Sequence, residues 1–431
     1  MKDASLAGPD KPPEIRAGSA CVDLIADPAS WINRRVETIE LLAQEETRRR
    51  VSIDFTLAPG QIAELTVPDG VVIPLSLLTK APRRNFDLRD ETGRAIPVLG
   101  KGENAALAHI AALRAAIDAL GDHANDESLR ALAADLRQIV FMDPEPAFDV
   151  LASLAANAAD GQEPIASVWA DPVSRQMLSD LWQHYVLFAV LPPGGPTRRI
   201  LKYSYGEDFD LGTDRLPLRE RLSPAELGRR FSRPDRARFL IECPGAWRAA
   251  SFHVEIATPE ELRFDRAVLF DFTANDEVSS TDEDVDRASL YASRPLAPGA
   301  DVAAYVEITP ERSGRAFQAA ATSLIVGTLL WLGVISDLDA ENPGPAVSIL
   351  LAGAAVFSGV SAGRGEHKLV RLLFSGTRKG LGVVTVAALA GSASLALEYP
   401  TQRPVCVWWG AATVCTLAAL RLIWAAIRAP A

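Results

Sequence analysis

Four apolar stretches fill the chain after residue 315, and they constrain the possible folds more than any other feature of the sequence. They cover residues 316–335, 346–363, 381–397 and 405–427, and Arg421 is the only charged residue inside them. Each approaches the roughly 20 residues with which an α-helix crosses a bilayer. The pattern therefore predicts a bundle of four transmembrane helices within residues 313–431. A buried helical hairpin is the alternative, which is less favoured because four such runs leave little polar surface to face water.

The charges around these stretches predict their orientation. Between the second and third stretches, the basic residues are Arg364, Lys368, Arg371, Arg378 and Lys379. The loop after the first stretch is acidic instead. By the positive-inside rule, we expect the basic segment and both termini in the cytoplasm, and thus a multi-pass protein of the cell membrane. The tryptophans expected at the membrane interfaces are Trp408, Trp409 and Trp424.

Small residues in the second stretch predict close helix packing. Gly359 and Gly363 have the GxxxG spacing that lets two helix backbones approach each other. We therefore expect contacts through small-residue faces, either within one chain or in a homo-oligomer. The lipid bilayer is the first partner that this part of the sequence predicts.

The charge of the chain divides at the same place. The whole sequence has a formal net charge of −11. Residues 316–431 contain eight basic and five acidic residues, so they carry +3 and the first 315 residues carry −14. This acidic N-terminal part argues against a nucleic acid partner, because phosphates need a basic surface.

Periodicity predicts a cytoplasmic β domain over residues 31–312. Alternating apolar and polar residues predict strands over about 50–100 and 198–308, arranged as an antiparallel β-sandwich. Apolar residues at helical spacing predict a helical insertion over 103–190 and a short amphipathic helix over 31–46. Residues 1–30 are expected to be a loose arm. The predicted class is thus an α+β membrane protein, with two separate β domains as the alternative to one.

A search for catalytic and binding motifs finds few candidates. Walker A, HExxH, complete GxGxxG and CxxC motifs are absent from the sequence. Residues 359–363 match the G-x-S-x-G pattern of hydrolases, but they end an apolar helix instead of following a strand, which favours helix packing. Asp282, Asp284 and Asp286 match the first three positions of a calcium loop. Because Arg287 and Ser293 replace its glycine and glutamate, a solvated acidic loop is favoured over a metal site. We therefore predict no catalytic residue and no cofactor.

Four segments resemble an uncharacterised family of actinobacterial multi-pass membrane proteins. They are residues 49–56 (RRVSIDFT), 86–97 (FDLRDETGRAIP), 199–205 (RILKYSY) and 364–369 (RGEHKL). The resemblance runs from about residue 45 to the third apolar stretch. It implies an N-terminal cytoplasmic domain followed by membrane spans. Since the family has no known activity, the resemblance implies no functional residue.

These features support three functional hypotheses. The first is a non-enzymatic, membrane-anchored sensor or adaptor, whose β domain binds a cytoplasmic protein or ligand and is coupled to the spans through the short segment 309–315. The second is a membrane effector that oligomerises and forms a pore. The third is an enzyme whose site is built from separated residues that no motif reveals.

Overall fold

The structure is a computed structural model that describes residues 12–42, 46–121, 126–208, 237–259, 262–281, 286–310, 314–335, 370, 373, 375–396 and 405–428. The helices in this part of the chain are α1 (Pro13–Ala26), α2 (Pro59–Leu65), α3 (Lys101–Leu120), α4 (Asp126–Phe141), α5 (Pro144–Ala159), α6 (Ile165–Ala170), α7 (Pro172–Leu181), α8 (Gly314–Ile335), α9 (Ser375–Ala396) and α10 (Val405–Arg428). The strands are β1 (Ile32–Leu41), β2 (Glu46–Thr56), β3 (Thr66–Val67), β4 (Gly70–Thr79), β5 (Arg84–Asp90), β6 (His184–Leu191), β7 (Arg198–Asp208), β8 (Ala237–Glu242), β9 (Phe252–Ala257), β10 (Leu262–Asp271), β11 (Asp276–Thr281), β12 (Arg287–Ala292) and β13 (Val302–Pro310).

These strands form three sheets. The six-stranded sheet has the order β12-β9-β1-β2-β7-β5, the four-stranded sheet the order β11-β10-β13-β8, and the three-stranded sheet the order β3-β4-β6. Neighbouring strands are antiparallel except β1 and β9, which are parallel. The protein is therefore α+β with mixed sheets, and the prediction of a purely antiparallel domain is wrong.

Two hydrophobic cores hold the sheets and helices together. Helices α1 and α3 to α7 cover the three-stranded sheet and the β2–β7 half of the six-stranded sheet, burying Ile53, Phe55 and Phe188 completely. The other half of the six-stranded sheet packs face to face with the four-stranded sheet around Val254 and Phe264. The molecule thus combines a helix-covered layer with a sandwich-like layer, and the six-stranded sheet is common to both.

The amphipathic helix predicted over residues 31–46 is strand β1. Its inward positions alternate, but Arg35 and Glu37 occupy two of them and are buried. Because charged residues stand where a half-buried strand normally has apolar ones, the period-two signal was hidden. The apolar residues that remained happened to match helical spacing.

The loose arm predicted for residues 1–30 contains helix α1. Cys21, Leu24 and Ile25 lie on its buried face within the first core. The indole Nε1 of Trp31 donates a hydrogen bond to the carbonyl oxygen of Leu24 at 2.8 Å, which ties the helix end to β1. The scattered proline and charged residues at the start of this segment obscured its apolar face.

The prediction of a multi-pass membrane protein with a four-helix transmembrane bundle is wrong. In the described part of the chain, no helix combines the length and the apolar character needed to cross a membrane. Three of the predicted spans correspond to α8, α9 and α10, whereas residues 346–363 lie outside the described residues. Much of these helices is alanine, glycine, serine and threonine, whose small side chains bury little apolar surface each. The predicted cell-membrane localisation is wrong with it, whereas the bilayer partner and the pore hypothesis stay predictions.

Helices α8, α9 and α10 pack on one another instead. Val326 and Leu330 of α8 share a small core with Ala388 and Ala412 of the other two helices. Hydroxyl groups on these helices bond within their own helix; Ser323 donates to the carbonyl oxygen of Ala319 at 2.8 Å, and Thr328 and Thr416 bond in the same way. The alanines at 388 and 412 therefore contribute to close packing of these helices, in which short side chains let backbones approach.

Replacing Gly70 with alanine is expected to destabilise the fold by about 2 kcal/mol or more. Gly70 begins β4 with φ of 146°, and a Cβ at this position would collide with the backbone oxygen of Leu191 on β6. Urea denaturation measures the free energy of unfolding. The matched control is Gly60→Ala in α2, where a Cβ meets open space and alanine favours the helix. Similar effects of the two substitutions would contradict the described pairing of β4 with β6.

Candidate functional site

Arg35, Glu37 and Arg49 form a buried ion triad at the junction of the three sheets. Their side chains are 4%, 0% and 8% exposed. Arg35 and Glu37 are two residues apart on β1 and so share its inward face, while Arg49 pairs with Ile39 across β1 and β2. Glu37 accepts hydrogen bonds from Arg35 Nε at 2.7 Å and from Arg49 Nη1 at 2.6 Å.

The remaining donors of the triad reach the other two sheets. Arg35 Nη1 donates to Ser76 Oγ of β4 at 3.1 Å. Arg49 Nη2 donates to the backbone oxygen of Glu242 on β8 at 3.1 Å. Through one carboxylate, the triad therefore links the six-stranded sheet to both its neighbours.

The triad keeps Glu37 ionised although the residue is fully buried. Burial disfavours the carboxylate, but Arg35 and Arg49 outweigh it and place the pKa of Glu37 below its ordinary value. Room for the Arg35 guanidinium comes from Gly245, because a Cβ there would collide with it. Buried charges are tolerated when every one is paired and hydrogen-bonded in this way.

Two stacked tyrosines on β7 extend the network to the loop after β4. The rings of Tyr203 and Tyr205 are parallel, with centroids 6.2 Å apart. The Arg83 guanidinium lies 4.6 Å above the Tyr205 ring and pairs with the carboxylate of Glu207. Glu207 also accepts a hydrogen bond from Arg49 Nε at 3.2 Å. The loop is therefore attached to the triad by both charge and cation–π contact.

An apolar cavity of about 650 Å³ lies on the other side of this loop. It opens where β6, the start of α3 and the end of α4 come together. Its apolar wall includes Phe86, Val98, Leu99, Val140, Phe141 and Leu187. This volume is within the range of pockets that bind small molecules.

Lys80 supplies the main polar group of the cavity. Its Nζ donates to the backbone oxygens of Ile139 at 2.6 Å and Met142 at 2.9 Å, at the C-terminal end of α4. An ammonium group has three donors, so one N–H remains for a ligand. Burial, with a smaller contribution from Lys101, lowers the pKa of Lys80 to about 8, while Asp143 opposes the shift.

Asn104 and Tyr185 complete the polar part of the lining. The buried Asn104 amide donates to the Leu99 carbonyl and accepts from the Phe188 backbone N–H at 2.8 Å, which anchors the start of α3 to β6. The Tyr185 hydroxyl makes no hydrogen bond to the described residues, and burial raises its pKa. Tyr185 is thus a lining residue without a described hydrogen bond, whereas the Asn104 amide is used to hold α3 on β6.

The acidic residues considered as calcium ligands do not form a described site. Asp282 and Asp284 lie outside the described residues. Asp286 is described, and its backbone oxygen accepts from the Thr258 N–H at 3.1 Å. Across the described ranges, no group of three or more histidine, cysteine, aspartate or glutamate residues could hold a metal ion.

The residues predicted for membrane topology and helix packing are only partly described. Those outside the described residues are Gly359, Gly363, Arg364, Lys368 and Arg371. Arg378 and Lys379 lie in α9, while Trp408, Trp409 and Trp424 lie in α10. The Trp409 ring packs edge-to-face on Trp331 of α8 with centroids 5.0 Å apart. This tryptophan therefore contributes to the contact between two helices.

Sequence reasoning missed both the triad and the cavity. The lining of the cavity comes from separate segments, including the loop after β4, the start of α3, the end of α4 and β6. No local spacing connects such residues, so no motif could reveal them. The buried triad had one signal, which is the pair of opposite charges two residues apart between apolar residues at 32 and 39.

No protein-family model matches this chain, and no curated protein matches it at a significant level. The resemblance to an actinobacterial membrane family therefore stays a prediction.

Replacing Glu37 with glutamine is expected to destabilise the protein by about 3–5 kcal/mol, because Arg35 then stays buried without a counter-charge and Arg49 keeps only Glu207. The control is Glu40→Gln on the same strand. Glu40 pairs with Arg50 at 3.0 Å, but their side chains are 27% and 50% exposed, so the loss there should be below about 1 kcal/mol. Free energies of unfolding from denaturant titrations compare the two variants. Equal losses would contradict the role of Glu37.

The stabilising effect of Glu37 should disappear at acid pH. Since its folded pKa is lowered, the carboxylate contributes stability that is fully present above the unfolded pKa and is lost as the pH falls through the folded pKa. The difference in unfolding free energy between the wild type and Glu37→Gln should therefore be constant near neutral pH. It should begin to shrink as the pH drops below the ordinary value of 4.5. A difference that stayed constant from pH 7 to about pH 2.5 would refute this.

Proposed function

We propose that this protein is a non-enzymatic sensor or adaptor that binds a small molecule in the cavity beside β6. The observation that carries the proposal is the cavity itself, whose volume is about 650 Å³ and whose wall is mainly apolar with a few convergent polar groups. Binding sites for small molecules have this composition, because apolar contact supplies affinity and a few polar groups fix orientation.

The polar lining supports binding more than catalysis. Its polar side chains are Lys80, Lys101, Asn104, Asp143 and Tyr185. The described lining contains no serine, cysteine or histidine that could serve as an activated nucleophile with its base. The groups that remain can donate hydrogen bonds to a ligand and hold its charge.

The position of Phe86 supports a sensor role. Phe86 lines the cavity, and its ring stacks on Tyr203 with centroids 6.2 Å apart. The Tyr203 hydroxyl donates to Ser76 at 2.8 Å and accepts from Arg35 at 3.0 Å. A ligand that displaces Phe86 would thus alter packing at the junction of the sheets, which is the physical link that a sensor requires.

The neutral fluorescent probe N-phenyl-1-naphthylamine should bind to the wild type and bind at least about tenfold more weakly to Gly102→Phe. Gly102 lines the cavity, and a Cβ there meets no atom within 4 Å, so the phenyl ring can enter the open space. Probe fluorescence, titrated against protein concentration, gives the two dissociation constants.

The matched control is Gly60→Phe, because Gly60 is also helical, also has open space around a Cβ, and does not line the cavity. This variant should bind the probe as the wild type does. If both variants bind the probe like the wild type, the ligand site is elsewhere. If the wild type does not bind the probe at all, the proposed function fails.

A further inference from the structure

We infer that the ligand of this cavity is an amphipathic anion, with an apolar chain or ring in the cavity and an acidic headgroup at Lys80. The inference rests on the proposed function, since it names the class of molecule that the same site takes. It is carried by the arrangement of apolar and charged groups along the cavity wall.

The apolar part of the ligand is specified by the inner wall. Phe86, Leu99 and Leu187 are partly or fully buried and line the cavity together with Phe141. A polar chain there would lose its water without gaining partners. Each methylene group moved from water into such a wall contributes about 0.8 kcal/mol.

The acidic headgroup is specified by the donors at the rim. Lys80 has one N–H that no described oxygen accepts. The charged residues of the lining are Lys80, Lys101 and Asp143, which sum to +1. Asp143 neutralises this charge weakly, since its carboxylate is 4.0 Å from Lys101 Nζ and both side chains are over 80% exposed.

The start of α3 adds to this preference. Helix α3 has 20 residues and begins at Lys101 on the cavity wall. Backbone N–H groups at a helix N-terminus favour a negative charge nearby. Glu103 in the first turn already accepts from the Gly100 N–H at 2.8 Å and offsets part of this effect, so Lys80 is the main group that disfavours a positive headgroup.

The titration of Lys80 should make the binding of an anionic ligand depend on pH. The charged groups that act on its ammonium from the neighbouring elements are Asp143, which raises its pKa, and Lys101, which lowers it. The pKa of Lys80 is about 8 in the unliganded protein. A bound anion stabilises the charged ammonium, so binding an anion weakens as the pH rises through this value, and binding a neutral molecule does not.

The experiment compares decanoate with decanol, which have the same chain length and differ in headgroup charge. Each displaces N-phenyl-1-naphthylamine from the full-length protein at pH 7 and at pH 9.5. We expect decanoate to bind about tenfold more tightly than decanol at pH 7. That preference should largely disappear at pH 9.5 and in Lys80→Met at pH 7. Lys80→Arg should retain it, as should the control Lys202→Met, which removes an exposed lysine on β7.

The possible outcomes separate this inference from the proposed function. Equal affinity for decanol and decanoate in the wild type would overturn the inference and leave the cavity a ligand site. The inference would also be overturned if neither ligand displaced a probe whose binding Gly102→Phe weakens. Failure of the probe itself to bind would reject the proposed function. Because Lys80 also bonds the end of α4, the pH series on the wild type decides the question if Lys80→Met does not fold.

Discussion

The carboxylate of Glu37 is the group on which the rest of the architecture depends. It lies fully buried between two arginines, and the free donors of those arginines bond β4 on one side and β8 on the other. Removing Glu37 would leave Arg35 as an unpaired charge in the interior, which is far more unfavourable than the net contribution of the intact triad. The relative positions of the three sheets are therefore tied to one set of hydrogen bonds, and sliding one sheet would break them.

The same network holds the loop between β4 and β5 and so preforms the cavity. Arg83 is held by Glu207 and the Tyr205 ring, while Lys80 is held by the last turn of α4. Phe86 stacks on Tyr203, which belongs to the network. Since the wall is held from both sides, most of the site is formed before a ligand enters and only Phe86 has to shift, and a preorganised site gains affinity for that reason. This arrangement places a proposed binding site directly beside the interaction that positions the sheets.

Sequence patterns identified the strands that have one face on a hydrophobic core and the other face away from it. The alternation at residues 51–57 corresponds to β2, and that at 252–256 corresponds to β9, because one face of each strand packs on a core and the other does not. The patterns predicted the wrong element where tertiary contacts allow a charged residue at a buried position. Residues 31–46 suggested a helix because Arg35 and Glu37 interrupt the strand pattern, and these charges are acceptable inside only through Arg49, Ser76 and Tyr203.

The apolar C-terminal stretches also show that a sequence pattern does not reveal what an apolar helix packs against. Helix α9 reads as apolar sequence after Lys379, yet Ala387 and Ala388 lie in the contact with neighbouring helices. No described helix has the length and apolar character of a membrane span. By itself, the sequence determined the acidic balance of the first 315 residues, the apolar character of the C-terminal helices and the strands with clean alternation. Only the tertiary structure decided where the buried charges find partners and which separate segments enclose the cavity. The physical reason is that periodicity records one face of one element, whereas ion pairs and cavities are made between elements far apart in the chain.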